Sequence, residues 1–391
     1  MKKNTSSYVM PTYGKKSLLF TKGKGCYLYD NKNKKYLDFA SGISVNSLGH
    51  CHPKLVKVLI SQSKQLWHVS NLYLIKNQEK FAKLLCKNSF ADKVFFTNSG
   101  AESIECGIKI IRSYHSYYKT GKNEIITFEG AFHGRTFGAL SAQKNKKYSE
   151  GFGPLIPGFK KIEFNNKKKL RSAINNKTAG ILIEPVQGEG GIRPADLSFL
   201  KYLRDICDNN NILLFFDEVQ CGFGRSGKLF SYEWAKIKPD LMAIAKGIGS
   251  GFPLGACLSN NKACIAMKKG THGSTYGGNP LAMSVGLEVL NIISKKSFLQ
   301  KVDKVSRYFW KKLKELENKY EIIHEVRGAG LLLGLKTKID NLEFSEKLKK
   351  QKLLNVPAAD NTIRLAPPLI VSHKEIDKSI TIINNVLKNI K

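Results

Sequence analysis

The sequence predicts an α/β fold: a mainly parallel sheet covered by helices on both faces, joined to a smaller α+β unit. Three observations lead there. Between about residues 90 and 280, short β-branched or aromatic runs alternate with longer helical patterns. Most of those runs are almost wholly apolar, as strands buried on both faces are. Beyond residue 298 the pattern becomes a long amphipathic helix followed by short, glycine-punctuated elements.

The candidate strands of the main sheet are residues 93–97, 124–128, 179–184, 212–216, 241–245 and 255–259. An amphipathic helix opens at Asn98-Ser99-Gly100 and runs towards Tyr118. In the tail, 298–320 has helical periodicity and 321–335 reads as strands around Gly328 and Gly330. A helix, a short strand through Arg364 and a last helix from Lys374 follow. The Lys/Asn-rich patches 31–35, 144–147 and 165–169 read as exposed turns.

At 391 residues the chain suits two domains. We expect residues 1–50 to contribute to a small domain, 51–280 to form the large one, and 281–391 to complete the small one. No apolar run approaches the ~20 residues of a membrane-spanning helix. Met1–Ser7 is polar and basic with no apolar stretch behind it, so no secretion leader is expected and the cytoplasm is the expected location. The eight cysteines never fall in C-x-x-C pairs and are expected to be reduced thiols.

A net charge of +33 raises the question of nucleic acid, but only nine of the basic residues are arginine; the 55 lysines are spread along the whole chain. Bidentate phosphate and base recognition favours arginine, so the lysine excess reads as a solvated coat. No nucleic-acid partner and no membrane are expected.

The chemistry lies where open α/β sheets collect ligands, outside the C-terminal strand ends. The turn Asn98-Ser99-Gly100-Ala101-Glu102 feeds a helix N-terminus, whose free amides hold phosphate; the same pattern also serves as a plain N-cap. The strand at 212–216 delivers Asp217 and Glu218, which cap the next segment, face a cationic ligand or bind metal. The strand at 241–245 delivers Lys246, then Gly247, Gly249 and Gly251. Desolvation there lowers the amine's pKa and makes it a nucleophile, whereas a snorkelling surface lysine is the plainer alternative. Together, Lys246 and Asp217 are the amine and carboxylate that a pyridoxal ring requires, and the Ser99 turn is a phosphate anchor.

Nine segments in order then carry a resemblance. They are Asp38-Phe39-Ala40-Ser41-Gly42-Ile43, Leu48-Gly49-His50-Cys51-His52-Pro53, Thr97-Asn98-Ser99-Gly100-Ala101-Glu102 and Phe132-His133-Gly134-Arg135-Thr136. Further on stand Glu184-Pro185-Val186-Gln187-Gly188-Glu189-Gly190-Gly191, Asp217-Glu218-Val219-Gln220 and Lys246-Gly247. Last come His272-Gly273-Ser274-Thr275-Tyr276-Gly277-Gly278-Asn279-Pro280 and Arg364-Leu365-Ala366-Pro367-Pro368-Leu369. The chain resembles, nearly end to end, the class III (ω-) aminotransferases of fold type I. Within them it is most similar to the acetylornithine aminotransferase branch.

The resemblance implies a seven-stranded, mainly parallel sheet, a small domain built from both termini, and pyridoxal 5′-phosphate carried on Lys246. It implies that Asp217 pairs with the pyridine nitrogen, Gln220 with the phenolic oxygen, and that Phe132 stacks on the ring. Ser99, Gly100 and Ala101 cradle the phosphate, reached from the second subunit of a homodimer by Thr275, with Ser274 beside it. Arg135 takes a substrate carboxylate, and Glu189 masks Arg364 until glutamate binds. The reaction implied is transfer of the δ-amino group of N2-acetyl-L-ornithine to 2-oxoglutarate, giving N-acetyl-L-glutamate 5-semialdehyde and L-glutamate in arginine biosynthesis. Glu184 and His133 receive no direct chemistry. The alternatives are a succinyldiaminopimelate, ornithine or 4-aminobutyrate aminotransferase, a mutase or racemase using the same cofactor, and a basic nucleic-acid-binding protein on this fold.

Overall fold

All six apolar runs become strands of one seven-stranded sheet in the computed structural model, which describes residues 8–14 and 17–390. The stretch 1–7, which carries the leader reading, lies outside them. Across the sheet the order is Lys93–Thr97, Gly255–Ser259, Leu241–Ile244, Leu213–Asp217, Thr178–Ile183, Glu124–Phe128 and Phe159–Ile162. Only Gly255–Ser259 runs against its neighbours; the remaining pairings are parallel.

The seventh strand, Phe159–Ile162, is the one the apolar pattern missed. It is half-buried, lies at the sheet edge beside Glu124–Phe128 and carries Lys160 and Lys161 in its middle. An edge strand needs no apolar run, and its lysines discourage pairing with another chain. By contrast every residue of Leu213–Asp217 is buried.

Helix Gly100–Tyr117 lies across this sheet with Ile104, Ile108 and Ile111 buried. It approaches closely because Gly107 has no side chain: a Cβ there would come within 2.2 Å of the Phe215 ring. Ser99 starts the helix with a reciprocal capping box to Glu102, and Asn279 with Pro280 starts a later helix, Pro280–Ile293.

Two further four-stranded sheets form the smaller unit. One sets Phe20–Lys24, Tyr27–Asp30 and Lys35–Asp38 beside Leu353–Leu354, so both ends of the chain meet in one sheet. The other orders Ile323–Ala329, Leu332–Thr337, Thr362–Leu365 and Val356–Ala358. Helix Lys296–Lys319 buries Val302, Phe309 and Leu313, and Phe309 meets Phe39 edge-on at 5.6 Å. The backbone ties Ala366 N to Phe39 O and Leu369 N to Ser47 O, both 2.7 Å, hold the C-terminal unit against the site's N-terminal wall. Arg225, fully buried, adds bonds to the carbonyls of Leu331 and Pro367.

Two of the three polar patches are not simple turns. Asn166 caps helix Lys167–Ala173, so residues 167–169 are its first turn, and Lys146–Ser149 forms a single helical turn capped by Asn145. Asparagine serves turn and N-cap equally, and the lysine-rich turns that follow offered no apolar face to reveal them. All eight cysteines are free thiols, five of them buried. Among the described residues, no helix is long and apolar enough to cross a membrane.

Candidate active site

The C-terminal ends of three strands meet at one cavity of about 460 Å³. Lys93–Thr97 leads into Asn98, Ser99, Gly100 and Ala101 on one wall. Leu213–Asp217 contributes Asp217, Val219 and Gln220, and Leu241–Ile244 delivers Ala245 and Lys246. Register explains the neighbours: Asp217 stands opposite Ala243, three positions before Lys246.

The helix N-terminus offers donors. The amide of Glu102 is taken by Ser99 Oγ at 3.3 Å and that of Ser103 by Ser99 O at 3.2 Å. The first amides of a helix have no intrahelical acceptor, so Gly100 and Ala101 present theirs to the cavity. Ser99 is therefore both cap and cavity wall, its two sequence readings being compatible.

Lys246 has φ of +48°, in the left-handed region that a side chain seldom occupies. The strain turns the chain out of its strand into a short 3-10 turn, Lys246–Ile248, directly beside the cavity. Burial pushes its amine down to about 8, with the Arg364 guanidinium acting in the same direction. Asp217, Glu184 and Glu189 pull the other way.

Asp217 is buried, its Oδ2 2.7 Å from His133 Nδ1 and its Oδ1 accepting the Val219 amide at 3.0 Å. Neighbouring Glu218 points into the core instead, accepting the amides of Ser231 and Tyr232 at 2.6 and 3.0 Å. The two carboxylates have different partners and do not converge, which removes the metal reading of that pair. Burial raises the Glu218 carboxyl to about 8.

Glu184 is buried between these groups. Its Oε1 accepts the Phe132 amide at 2.8 Å and its Oε2 the Gly188 amide at 3.0 Å. Burial first, and Asp217 second, push its carboxyl up to about 7, while His133 and the two amides oppose them.

Phe132, His133, Gly134 and Arg135 line the opposite side. The Phe132 ring meets Tyr148 edge-on at 5.7 Å, and the guanidinium of exposed Arg135 lies 3.8 Å from the Tyr148 ring centre. Glu105, one helical turn beyond the cavity-facing amides, holds the Arg135 loop through Thr136 Oγ1 at 2.5 Å and the Ala139 amide at 3.1 Å.

Arg364, 1% exposed, reaches in from Thr362–Leu365. Its Nη1 donates to Gln220 Oε1 at 2.8 Å and its Nη2 to Glu189 Oε2 at 3.0 Å. Tyr148 OH donates to Glu189 Oε1 at 3.3 Å. Gln220 is pressed against Gly188, where a Cβ would come within 2.4 Å of its side chain.

Eight of the twelve sequence-selected residues thus line one cavity: Ser99, Gly100, Ala101, Phe132, Arg135, Asp217, Gln220 and Lys246. Glu189 and Arg364 join it through their ion pair and Gln220. Ser274 adjoins, its Oγ accepting from Asn98 Nδ2 at 3.4 Å, but Thr275 is exposed and does not line it. Tyr148, Glu105 and Gln143, which binds the His133 amide and Gly134 carbonyl, were not found from sequence. Tyr148 adjoins a lysine-rich patch read as solvent-exposed, and no local signal shows that the chain folds it onto Arg135. Motif residues Asp38 and His50 pair with each other at 2.7 Å, a structural use of two prominent positions.

Known proteins similar to this chain share its fold and family. A curated acetylornithine aminotransferase from Agrobacterium fabrum is 51% identical over 93% of this chain and 92% of its own length. A solved N-acetylornithine aminotransferase from Stenotrophomonas maltophilia superposes with a TM-score of 0.84, 31% identity, and 96% coverage of each chain. The ornithine aminotransferase of Toxoplasma gondii, in which pyridoxal phosphate partly occupies the active site, has a TM-score of 0.93 at 30% identity, covering 97% of this chain and 92% of that one. Residues 8–387 match the family model "Aminotransferase class-III", and the chain belongs to that family.

Proposed function

We propose that this protein is a pyridoxal-phosphate-dependent acetylornithine aminotransferase, moving the δ-amino group of N2-acetyl-L-ornithine to 2-oxoglutarate. The family, and the curated acetylornithine aminotransferases 46–51% identical over more than nine-tenths of the chain, support it. The residues fit the cofactor: free helix amides at Gly100 and Ala101 for its phosphate, buried Asp217 for its ring nitrogen, and Lys246 at the strand end for its aldehyde carbon. Pyridoxal phosphate, when bound, supplies an electron sink for the amine-bearing carbon.

The chain's own groups do the rest. Asp217 keeps the proton on the ring nitrogen, and His133 fixes the carboxylate by its 2.7 Å contact. Gln220 spends its Oε1 on Arg364, which leaves its Nε2 to donate to the phenolic oxygen. Phe132 covers one ring face. Lys246 Nζ, of low basicity for a lysine, would move a proton between the substrate carbon and C4′ of the cofactor, in one direction with the donor and in the other with the acceptor. Arg135 binds the donor's α-carboxylate in bidentate fashion.

The observation that carries the donor assignment is the Glu189–Arg364 pair. With Glu189 in place the guanidinium is neutralised and the cavity suits a terminal amine; with Glu189 withdrawn, Arg364 is free to bind the α-carboxylate of glutamate. The same pocket then serves both half-reactions.

A homodimer completes the reading. Trp67, Leu72, Tyr73 and Leu74 are 64, 85, 66 and 94% exposed, and Tyr276 is 62% exposed. Asn71 Nδ2 bonds the carbonyls of Ser274 and Gly277, which makes the two segments one apolar face. A second copy on that face would bring Thr275 to its partner's phosphate site.

The test is glutamate formation from 2-oxoglutarate with acetylornithine, succinyldiaminopimelate, ornithine and 4-aminobutyrate, with Lys246→Ala as blank. Acetylornithine should give the highest kcat/KM. Higher values for succinyldiaminopimelate would move the protein to that rival, and no glutamate from any donor would reject an aminotransferase.

A further inference from the structure

One buried carboxylate has no part in that mechanism, yet it touches both the loop that carries Glu189 and the loop that carries Phe132 and Arg135. Glu184 follows strand Thr178–Ile183 and is 4% exposed. One of its oxygens holds the backbone of Phe132 at 2.8 Å, and the other holds that of Gly188 at 3.0 Å. Phe132 begins the loop carrying His133 and Arg135; Gly188 immediately precedes Glu189.

The two loops are stapled a second time by the residue next to Gly188: Gln187 Nε2 donates to Glu129 O, three residues before Phe132, at 2.9 Å. That bond involves neither Phe132 nor Gly188. Glu184 is thus the side chain bonded to the backbone on both sides, one residue from Glu189 and at Phe132 itself. Gly188 also backs onto Gln220, where there is no room for a Cβ, so a shift of Gly188 cannot be absorbed locally by a side chain.

We propose that Glu184 is a positioning residue that couples the two loops, so that withdrawal of Glu189 from Arg364 is transmitted to the Phe132–Arg135 wall. The inference rests on the reading of Glu189 as a movable mask, and it deepens it: the site would readjust its grip on ring and carboxylate whenever it changes from terminal-amine donor to glutamate. In its ionised form a carboxylate suits this task because both oxygens accept and neither donates. A glutamine would keep the volume but turn an NH2 group towards one of the two amides.

The test is amide hydrogen exchange on the cofactor-loaded protein, resolved to the segments containing Phe132 and Gly188. In the unaltered protein, Glu189→Ala should speed exchange at Phe132 roughly tenfold, the scale of one net hydrogen bond. In a Glu184→Gln background the same Glu189→Ala change should leave Phe132 exchange where Glu184→Gln alone puts it. Phe132 exchange that responds equally to Glu189→Ala in both backgrounds, or in neither, would overturn the proposal. If Glu184→Gln does not fold, Glu184→Asp, too short to span both amides, takes its place in the same cycle. Exchange needs no turnover, so failure of the acetylornithine reading shows separately, as the absence of glutamate formation by the unaltered enzyme.

Discussion

Glu189 and Arg364 lie 175 positions apart and form an ion pair at 3.0 Å, with the arginine buried and the glutamate one-third exposed. The asymmetry matters: Glu189 can swing outwards to solvent, while Arg364 is also held by Gln220 and stays. Glu189→Ala leaves a buried cation looking for a carboxylate. The kcat/KM ratio of glutamate to acetylornithine should rise by about tenfold or more, about 1.4 kcal/mol of altered discrimination. Half-reaction rates measured with each donor check it, and an unchanged ratio removes Glu189 as the mask.

His133 acts through Asp217. Replacing it by phenylalanine keeps a flat ring but deletes the 2.7 Å contact, leaving the carboxylate free to rotate. We expect kcat to fall by about 10–100-fold, the usual scale for losing a group that orients a working one, with KM for the donor little changed. Asp217→Asn should cost more, about 10²–10³-fold, because the charge that tracks the reaction is lost. Equal effects of the two variants would contradict this ordering.

The amine of Lys246 is held down to about 8 by burial and by Arg364. A lysine reacts as the neutral amine, and its pKa here lies below the ordinary 10.5, so its reactive fraction rises with pH up to about 8 and levels off above. The rate at which cofactor-free protein takes up pyridoxal phosphate should follow that curve. A rate still climbing steeply between pH 9 and 10.5 would identify an unperturbed lysine instead.

The apolar face of Leu72, Leu74 and Tyr276 makes a prediction about assembly. Leu72→Glu combined with Leu74→Glu places charges on that face without touching the cavity. The sedimentation coefficient should drop to that of a single chain, and affinity for pyridoxal phosphate should weaken together with it, because Thr275 would no longer reach a partner. A dimer that persists through both changes would put the interface elsewhere.

Much of the fold was legible because its signals are local. The strands at 213–217 and 241–244 are apolar runs buried along their whole length, and the half-buried edge strand at 93–97 keeps an apolar centre; each was located within a residue. The polar edge strand Phe159–Ile162 was not, because a half-buried edge needs no apolar run. The helix at Lys167–Ala173 was missed for a similar reason, its first turn being three lysines.

For the site, sequence determined the residue types and the strand ends that present them: Lys246 and Asp217 at buried C-terminal ends, Ser99 at a helix start, and the motifs carrying Arg135, Glu189 and Arg364. The resemblance already pairs Glu189 with Arg364; tertiary structure alone decided the other pairings. That Arg364 bonds Gln220 as well as Glu189, that His133 steadies Asp217, that Glu218 turns away into the core, and that Glu184 bridges two loops all depend on side-chain direction across contacts of long sequence separation. Periodicity and local composition report which face of an element is buried; they carry no information about which distant atom completes a hydrogen bond there. Lys246 shows both halves: its position at the end of an apolar strand is written in the sequence, but its lowered basicity arises from burial and an arginine 118 residues away.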